Sequence, residues 1–199
     1  MTTDSIALLL IRHGPTLWNV ERRLQGHTDK ELSVAGRAQV GRWQVPVEFR
    51  DFHWVCSPML RTRQTAQLLG ANETRLEPRI QEMKWGEWEG HTVAELRARL
   101  GSEVQANEDR GLDFQPPGGE SPRDVQVRLK PWLHELAAHG QPTAAVTHKG
   151  VIRALLALAT GWNMLGKAPQ KLDWNSAHLF RVQGGRLSLE RPNISLLDS

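Results

Sequence analysis

The chain has 199 residues, with 25 Lys and Arg against 22 Asp and Glu and a formal net charge of +3. That length suits a single domain over residues 1–199 with a sizeable core, and the near-balanced charge, with no basic run interleaved with aromatics, argues against a nucleic-acid partner. Cys56 is the one cysteine, which excludes an internal disulfide and points to a reducing compartment or to indifference to redox state.

Ile6 to Ile11 is an apolar run that ends in Arg12, His13 and Gly14. It is too short for a signal-peptide core and follows Asp4 rather than a basic segment, and no stretch reaches membrane-spanning length. The expectation is a cytoplasmic protein with no membrane partner, in which this run is a buried strand. In open α/β sheets ligands gather outside the carboxyl ends of strands, so Arg12 and His13 are placed where a ligand would be.

Further along, Ser33 is expected to cap a helix through Trp43, and Trp54 to Ser57 reads as a second strand. Ser57 and Pro58 form an N-cap and N1 pair for a helix ending near Gly70. Leu76 to Ile80 is a short strand candidate, and Thr92 with Glu95 makes a capping box for a Val93 to Leu100 helix. Gly101 to Glu120 is a polar, Gly- and Pro-containing connection, open between a surface loop and a lid or specificity segment. Ser121 and Pro122 open a helix to about His139, bent at Pro131. Thr143 to Thr147 is a strand and Gly150 to Thr160 the last major helix. His178 to Val182 and Arg186 to Glu190 flank Gly184 and Gly185 as an antiparallel edge hairpin. Alternating strands and helices predict a three-layer α/β/α fold whose sheet is mainly parallel but mixed.

Four clusters carry possible chemistry. Val146-Thr147-His148-Lys149-Gly150 repeats the opening pattern of a strand that stops in a histidine before a helix. With both strands parallel, His13 and His148 approach each other and Arg12. Arg61, near the start of the helix after the second strand, lies where anions bind. Two imidazoles and two guanidiniums suit a dianion, because guanidinium offers paired donors and imidazole can act as nucleophile or donor. The segment Gln81 to Gly90 supplies acids, of which Glu82 is best placed to protonate a departing oxygen beside apolar tryptophans. A metal is the rival reading of the histidines, but no His-x-x-x-His pair is present and flanking arginines repel a cation. Eight Trp and no Tyr suggest no particular function.

With these clusters in order, the chain resembles the histidine phosphatase superfamily, the phosphoglycerate mutase-like clan, in its small bacterial branch. The resemblance spans nearly the whole length. It rests on Arg-His-Gly-Pro-Thr-Leu-Trp-Asn, Leu-Gln-Gly-His-Thr-Asp-Lys-Glu-Leu-Ser-Val-Ala-Gly, Ser-Pro-Met-Leu-Arg-Thr-Arg-Gln-Thr-Ala, Glu-Met-Lys-Trp-Gly-Glu-Trp-Glu-Gly, Pro-Pro-Gly-Gly-Glu-Ser and Thr-His-Lys-Gly-Val-Ile-Arg.

It implies a phosphoglycerate mutase-like fold and a phosphomonoesterase acting on a small phosphorylated substrate. His13 would be the nucleophile, Glu82 the general acid and then base, and Arg12, Arg61 and His148 the groups that hold phosphate oxygens. Thr16, Asn19, Gln25 and Gly26 would complete the phosphate pocket, with no metal or organic cofactor. The oligomeric state is open, with a homodimer as one option. A cofactor-dependent mutase and a non-catalytic scaffold are the alternatives. Mutases carry a longer insertion, with arginines that clamp a substrate carboxylate, where this chain has only Gly90 to Gly119 and no paired arginines. Two departures from the family pattern, Pro58 and Lys149, leave the catalytic side chains untouched, and Lys149 bears on substrate preference.

Overall fold

The chain is described as a computed structural model covering residues 5–71 and 73–197. The polypeptide forms β1 (Ile6–Arg12), α1 (Leu17–Val20), α2 (Val34–Val40), β2 (His53–Cys56), α3 (Leu60–Leu68), β3 (Arg75–Leu76), α4 (Val93–Leu100), α5 (Ser102–Glu108), α6 (Pro122–His139), β4 (Thr143–Thr147), α7 (Lys149–Thr160), β5 (Ser176–Gln183) and β6 (Arg186–Ser195). Among the described residues the strands make one sheet in the order β3-β2-β4-β1-β5-β6. β1, β2, β3 and β4 pair in parallel, whereas β5 and β6 are antiparallel. This is the expected mixed sheet, with the predicted hairpin at its edge.

β1 shows why the sheet is covered twice. Alternate side chains of a strand point to opposite faces, and both faces here are apolar. Leu8 and Leu10 pack with Val125, Leu129 and Leu133 of α6 and Val151, Ile152 and Leu155 of α7. Leu9 and Ile11 pack with Val40 of α2 and with Trp43, Val45 and Phe49. Leu8 to Ile11 are completely buried, each contributing about 1.5–3 kcal/mol, so the end of β1 is firmly anchored.

Several boundaries differ from those the sequence predicts, each for a local reason. The predicted strand Leu76 to Ile80 pairs only at Arg75 and Leu76. Pro78 has no N–H for the ladder, and Pro78–Ile80 forms a 3-10 turn capped by the Glu77 side chain. α2 ends at Val40 rather than Trp43. Ser57 does not cap α3: the N-cap is Met59, and the Leu60 N–H donates instead to Asp29 Oδ1 at 2.8 Å. The segment expected to be an irregular connection contains α5 and a 3-10 turn at Gly111–Asp113, anchored by Val104 against Trp88 and Leu96. The Thr92–Glu95 capping box opens α4 as predicted. α6 runs through Pro131 as one helix of 18 residues.

Candidate active site

β1 and β4 are adjacent and parallel, with Arg12 opposite Thr147. The ladder continues one residue further, as the His13 N–H donates to the Thr147 carbonyl at 2.9 Å. The residues that follow the two strands, His13 and His148, are therefore side by side, with ring centroids 5.2 Å apart and planes at 60°.

Their hydrogen bonds assign their protons. His13 Nδ1 lies 2.7 Å from the Gly14 carbonyl, which can only accept, so Nδ1 carries the proton and Nε2 presents a lone pair. His148 Nε2 lies 2.8 Å from Ser57 Oγ, and that oxygen already receives the Met59 N–H at 3.4 Å. A hydroxyl oxygen can accept twice, but the Ser57 hydroxyl hydrogen has no other acceptor among the described residues, so it is assigned to His148 Nε2, which leaves the proton on His148 Nδ1, a buried atom without a partner. Burial, reinforced by Arg12 and Arg61, holds His13 well below the ordinary histidine value, and burial with Arg61 does the same for His148.

The unfolded chain takes up protons at these histidines near pH 6.5, whereas the native chain takes them up only at lower pH. Stability is expected to fall from pH 7 to pH 5 by up to about 1.4 kcal/mol per pH unit for each histidine. Denaturant midpoints at the two pH values check this, and equal midpoints contradict it.

Arg61, in the first turn of α3, is completely buried. It donates to the Gly26 carbonyl at 2.7 Å and the Thr28 carbonyl at 3.3 Å and lies 4.0 Å from Asp29. Those contacts use its Nη atoms and leave Nε unpaired. Arg12 likewise has an unpaired buried Nε, with its guanidinium 6.0 Å from the Trp174 ring. Gln25 receives the Thr16 hydroxyl on Oε1 at 2.6 Å, so its Nε2 is left buried and unpaired. Buried donors are nearly always satisfied. Four orphans, Arg12 Nε, Gln25 Nε2, Arg61 Nε and His148 Nδ1, grouped around His13 make a cradle for an anion.

A cavity of about 650 Å³ opens onto this group and is lined by Arg12, His13, Asn19, Gln25 and Glu82, with Trp85 and Phe114 on its wall. His148 and Arg61 are completely buried and are not among the lining residues. Thr16 and Gly26 are placed behind the cavity: Thr16 caps α1 and orients Gln25, and the Gly26 carbonyl holds Arg61. Asn19 shares the Thr16 capping box.

Glu82 is buried, its Oε1 accepting from the Met83 N–H at 2.8 Å and its Oε2 from the Gly150 N–H at 3.2 Å. Burial raises its pKa, and it outweighs the opposing pull of those N–H groups, Arg61 and Arg12. A protonated carboxyl can therefore persist above the usual carboxylate range. Gly150 is required for this placement, because a Cβ there would lie 2.3 Å from Glu82 Oε1.

Other side chains hold the site in place without a local sequence signal. Glu89 accepts the N–H groups of Gly26, His27 and Thr28, shaping the loop whose carbonyls hold Arg61. Glu120 pairs with Arg128 at 2.9 Å and accepts the Lys84 N–H at 3.0 Å, and Arg128 donates to the Gln81 and Glu82 carbonyls at 2.7 and 3.3 Å. The Glu82 backbone is thereby fixed from α6. Among the described residues, no group of three or more His, Cys, Asp or Glu is placed to hold a metal ion.

Residues 8–195 match the profile of the histidine phosphatase superfamily, branch 1. The chain belongs to that superfamily. Within the histidine phosphatases it is 34% identical over 179 residues to glucosyl-3-phosphoglycerate phosphatase of Mycobacterium tuberculosis, covering 80% of this chain and 79% of that one. It is 30% identical over 162 residues to a 2,3-bisphosphoglycerate-dependent phosphoglycerate mutase of Gloeobacter violaceus, covering 75% and 73%. The structure of the mycobacterial glucosyl-3-phosphoglycerate phosphatase in complex with VO3 superposes with a TM-score of 0.77 at 30% identity, over 96% of this chain and all of that one.

Proposed function

We propose that this histidine phosphatase hydrolyses a small phosphate monoester through a phosphohistidine on His13, acting as a single domain. The observation that carries the reading is the set of four orphaned buried donors around a neutral imidazole whose Nε2 lone pair is free. The mycobacterial relative has been solved in complex with VO3, which supports an oxyanion as the ligand of this fold.

In the first half-reaction His13 Nε2 attacks phosphorus, the N–P bond forms and the bond to the ester oxygen breaks. Glu82 gives its proton to the departing oxygen. Arg12, Arg61, His148 Nδ1–H and Gln25 Nε2–H hold the non-bridging oxygens, with Asn19 at the rim. Such preorganised donors supply most of the catalysis of phosphoryl transfer. In the second half-reaction Glu82 takes a proton from water as the water attacks phosphorus, the N–P bond breaks, and inorganic phosphate leaves a neutral His13. Thr16 and Gly26 act by positioning Gln25 and Arg61.

The positive charge comes from arginine, so the proposed reaction uses no metal and no organic cofactor. Hydrolysis is preferred over the mutase reaction because the segment from Gly90 to Gly119 gives the cavity wall Glu108, Gly111 and Phe114 and no arginine. We place the enzyme in the cytoplasm; among the described residues no helix is long and apolar enough to cross a membrane.

Phosphate release over a panel of phosphorylated metabolites, run beside a mutase assay with and without 2,3-bisphosphoglycerate, tests the reading. Release that persists after dialysis against a chelator and is unstimulated by the bisphosphate is expected. Phosphoglycerate interconversion without release contradicts it.

Gly150→Ala gives a further check. The new Cβ must displace the Glu82 carboxyl, and a displacement of about 1 Å costs on the order of 100-fold in turnover. Thermal stability should change little, because alanine favours a helix by up to about 1 kcal/mol over glycine. Full activity in this variant contradicts the placement of Glu82.

A further inference from the structure

The cavity holds more positive charge than one phosphate group needs. A phosphate dianion is matched by Arg12 and Arg61, yet the wall also presents Arg22, Lys149 and Arg153. None of these three side chains has a hydrogen bond or ion pair to a partner among the described residues. The other charged wall residues are occupied: Arg23 pairs with Glu21 and Glu95 and donates to the Gly90 carbonyl, and Glu108 pairs with Arg97.

Lys149 and Arg153 are one turn apart on α7. Like charges at that spacing repel, and the first turn of a helix disfavours cations. The arrangement is nonetheless held in place, with Lys149 Nζ 5.3 Å from the Trp174 ring and Arg153 Cζ 5.1 Å from the Trp162 ring. Burial, then Arg12 and Arg153, pulls the Lys149 ammonium below its ordinary value, so the pair lies in a positive field that an anion would relieve. Trp85, Phe114 and Met164 make the same cavity partly apolar.

We propose that Lys149 and Arg153 form a second anion subsite, so that the preferred substrate carries a further acidic group, a carboxylate or a second phosphate, on its leaving-group side. The proposal rests on the phosphatase reading above. The carbon skeleton of the leaving group packs on the aromatic wall while its acid turns toward α7.

The test compares phenyl phosphate with meta-carboxyphenyl phosphate and meta-phenylene bisphosphate, whose leaving groups present the same ring. The native enzyme is expected to favour at least one acidic ester by about ten-fold in kcat/KM, and the favoured arm tells carboxylate from phosphate. Lys149→Met and Arg153→Met should each remove about ten-fold from that ester, at least about five-fold more than from phenyl phosphate. Lys149→Arg should retain the preference, which separates charge from folding. Equal rates for the three esters, or equal losses on all of them, overturn the proposal. If no ester is hydrolysed, the phosphatase reading fails, and calorimetry with the same intact esters decides the subsite. Tighter binding of an acidic ester, weakened by Lys149→Met, sustains it; equal affinities overturn it.

Discussion

His13→Ala is expected to abolish turnover of phenyl phosphate, with kcat falling by at least about 10⁴-fold. The substitution removes the free Nε2 and with it the covalent route, and no neighbour replaces it. His148 Nε2 is bonded to Ser57 Oγ and its Nδ1 carries the proton, so the role proposed for its ring is that of a donor. The anion cradle of Arg12, Arg61 and Gln25 does not depend on His13, and inorganic phosphate should still bind to the variant by calorimetry. Phosphate binding without turnover separates the loss of the nucleophile from a failure to fold. Turnover within tenfold of the native enzyme contradicts the proposed nucleophile.

Glu82→Gln should discriminate between leaving groups. The amide keeps the shape and can still accept from the Met83 N–H, but it cannot release a proton. An alkyl phosphate, whose departing oxygen must be protonated, is expected to lose about 10²–10⁴-fold, while a nitrophenyl phosphate should lose less than about ten-fold. The pH profile provides a second sign. As an acid, Glu82 must be protonated, so kcat/KM of the native enzyme with the alkyl ester should decline as pH rises through its raised pKa. The opposite limb lies below the usual histidine value, where His13 finally gains a proton. In Glu82→Gln the upper limb should vanish and the lower one remain. Equal losses on both esters contradict the role of Glu82.

Much of this arrangement is legible in the sequence because it is carried by strand ends. The apolar runs before His13 and His148 announce two buried strands, and parallel pairing then forces the two imidazoles together. The edge hairpin is equally plain from Gly184 and Gly185. What the sequence hides is long-range hydrogen bonding. Ser57 followed by Pro58 reads locally as a helix cap, but its hydroxyl is drawn to a histidine 91 residues away, and the first N–H of α3 is taken by Asp29 from a different loop. Thr16 and Gly26 look like direct phosphate ligands by motif. In the fold the Thr16 hydroxyl donates to Gln25 and the Gly26 carbonyl accepts from Arg61, so the proposed role of both is to position those two side chains.

The segment between Gly101 and Glu120 was hidden for a different reason. A short helix anchored by one buried residue, Val104, has too little apolar periodicity to stand out from a polar loop. Folded, the stretch sends Glu108, Gly111 and Phe114 to the cavity wall, and Phe114 stacks edge-on against Trp85 and Trp88 with centroids 5.7 and 5.5 Å away. Of the two readings open to it, a specificity segment is the one this placement supports.

The covalent intermediate is tested most directly by trapping it. A single turnover with phosphorus-labelled phenyl phosphate, quenched in alkali, should leave label on the protein as an acid-labile, alkali-stable phosphoramidate, and peptide mapping should place it on His13. Absence of protein-bound label during turnover, or its recovery on His148 or another residue, would contradict the account.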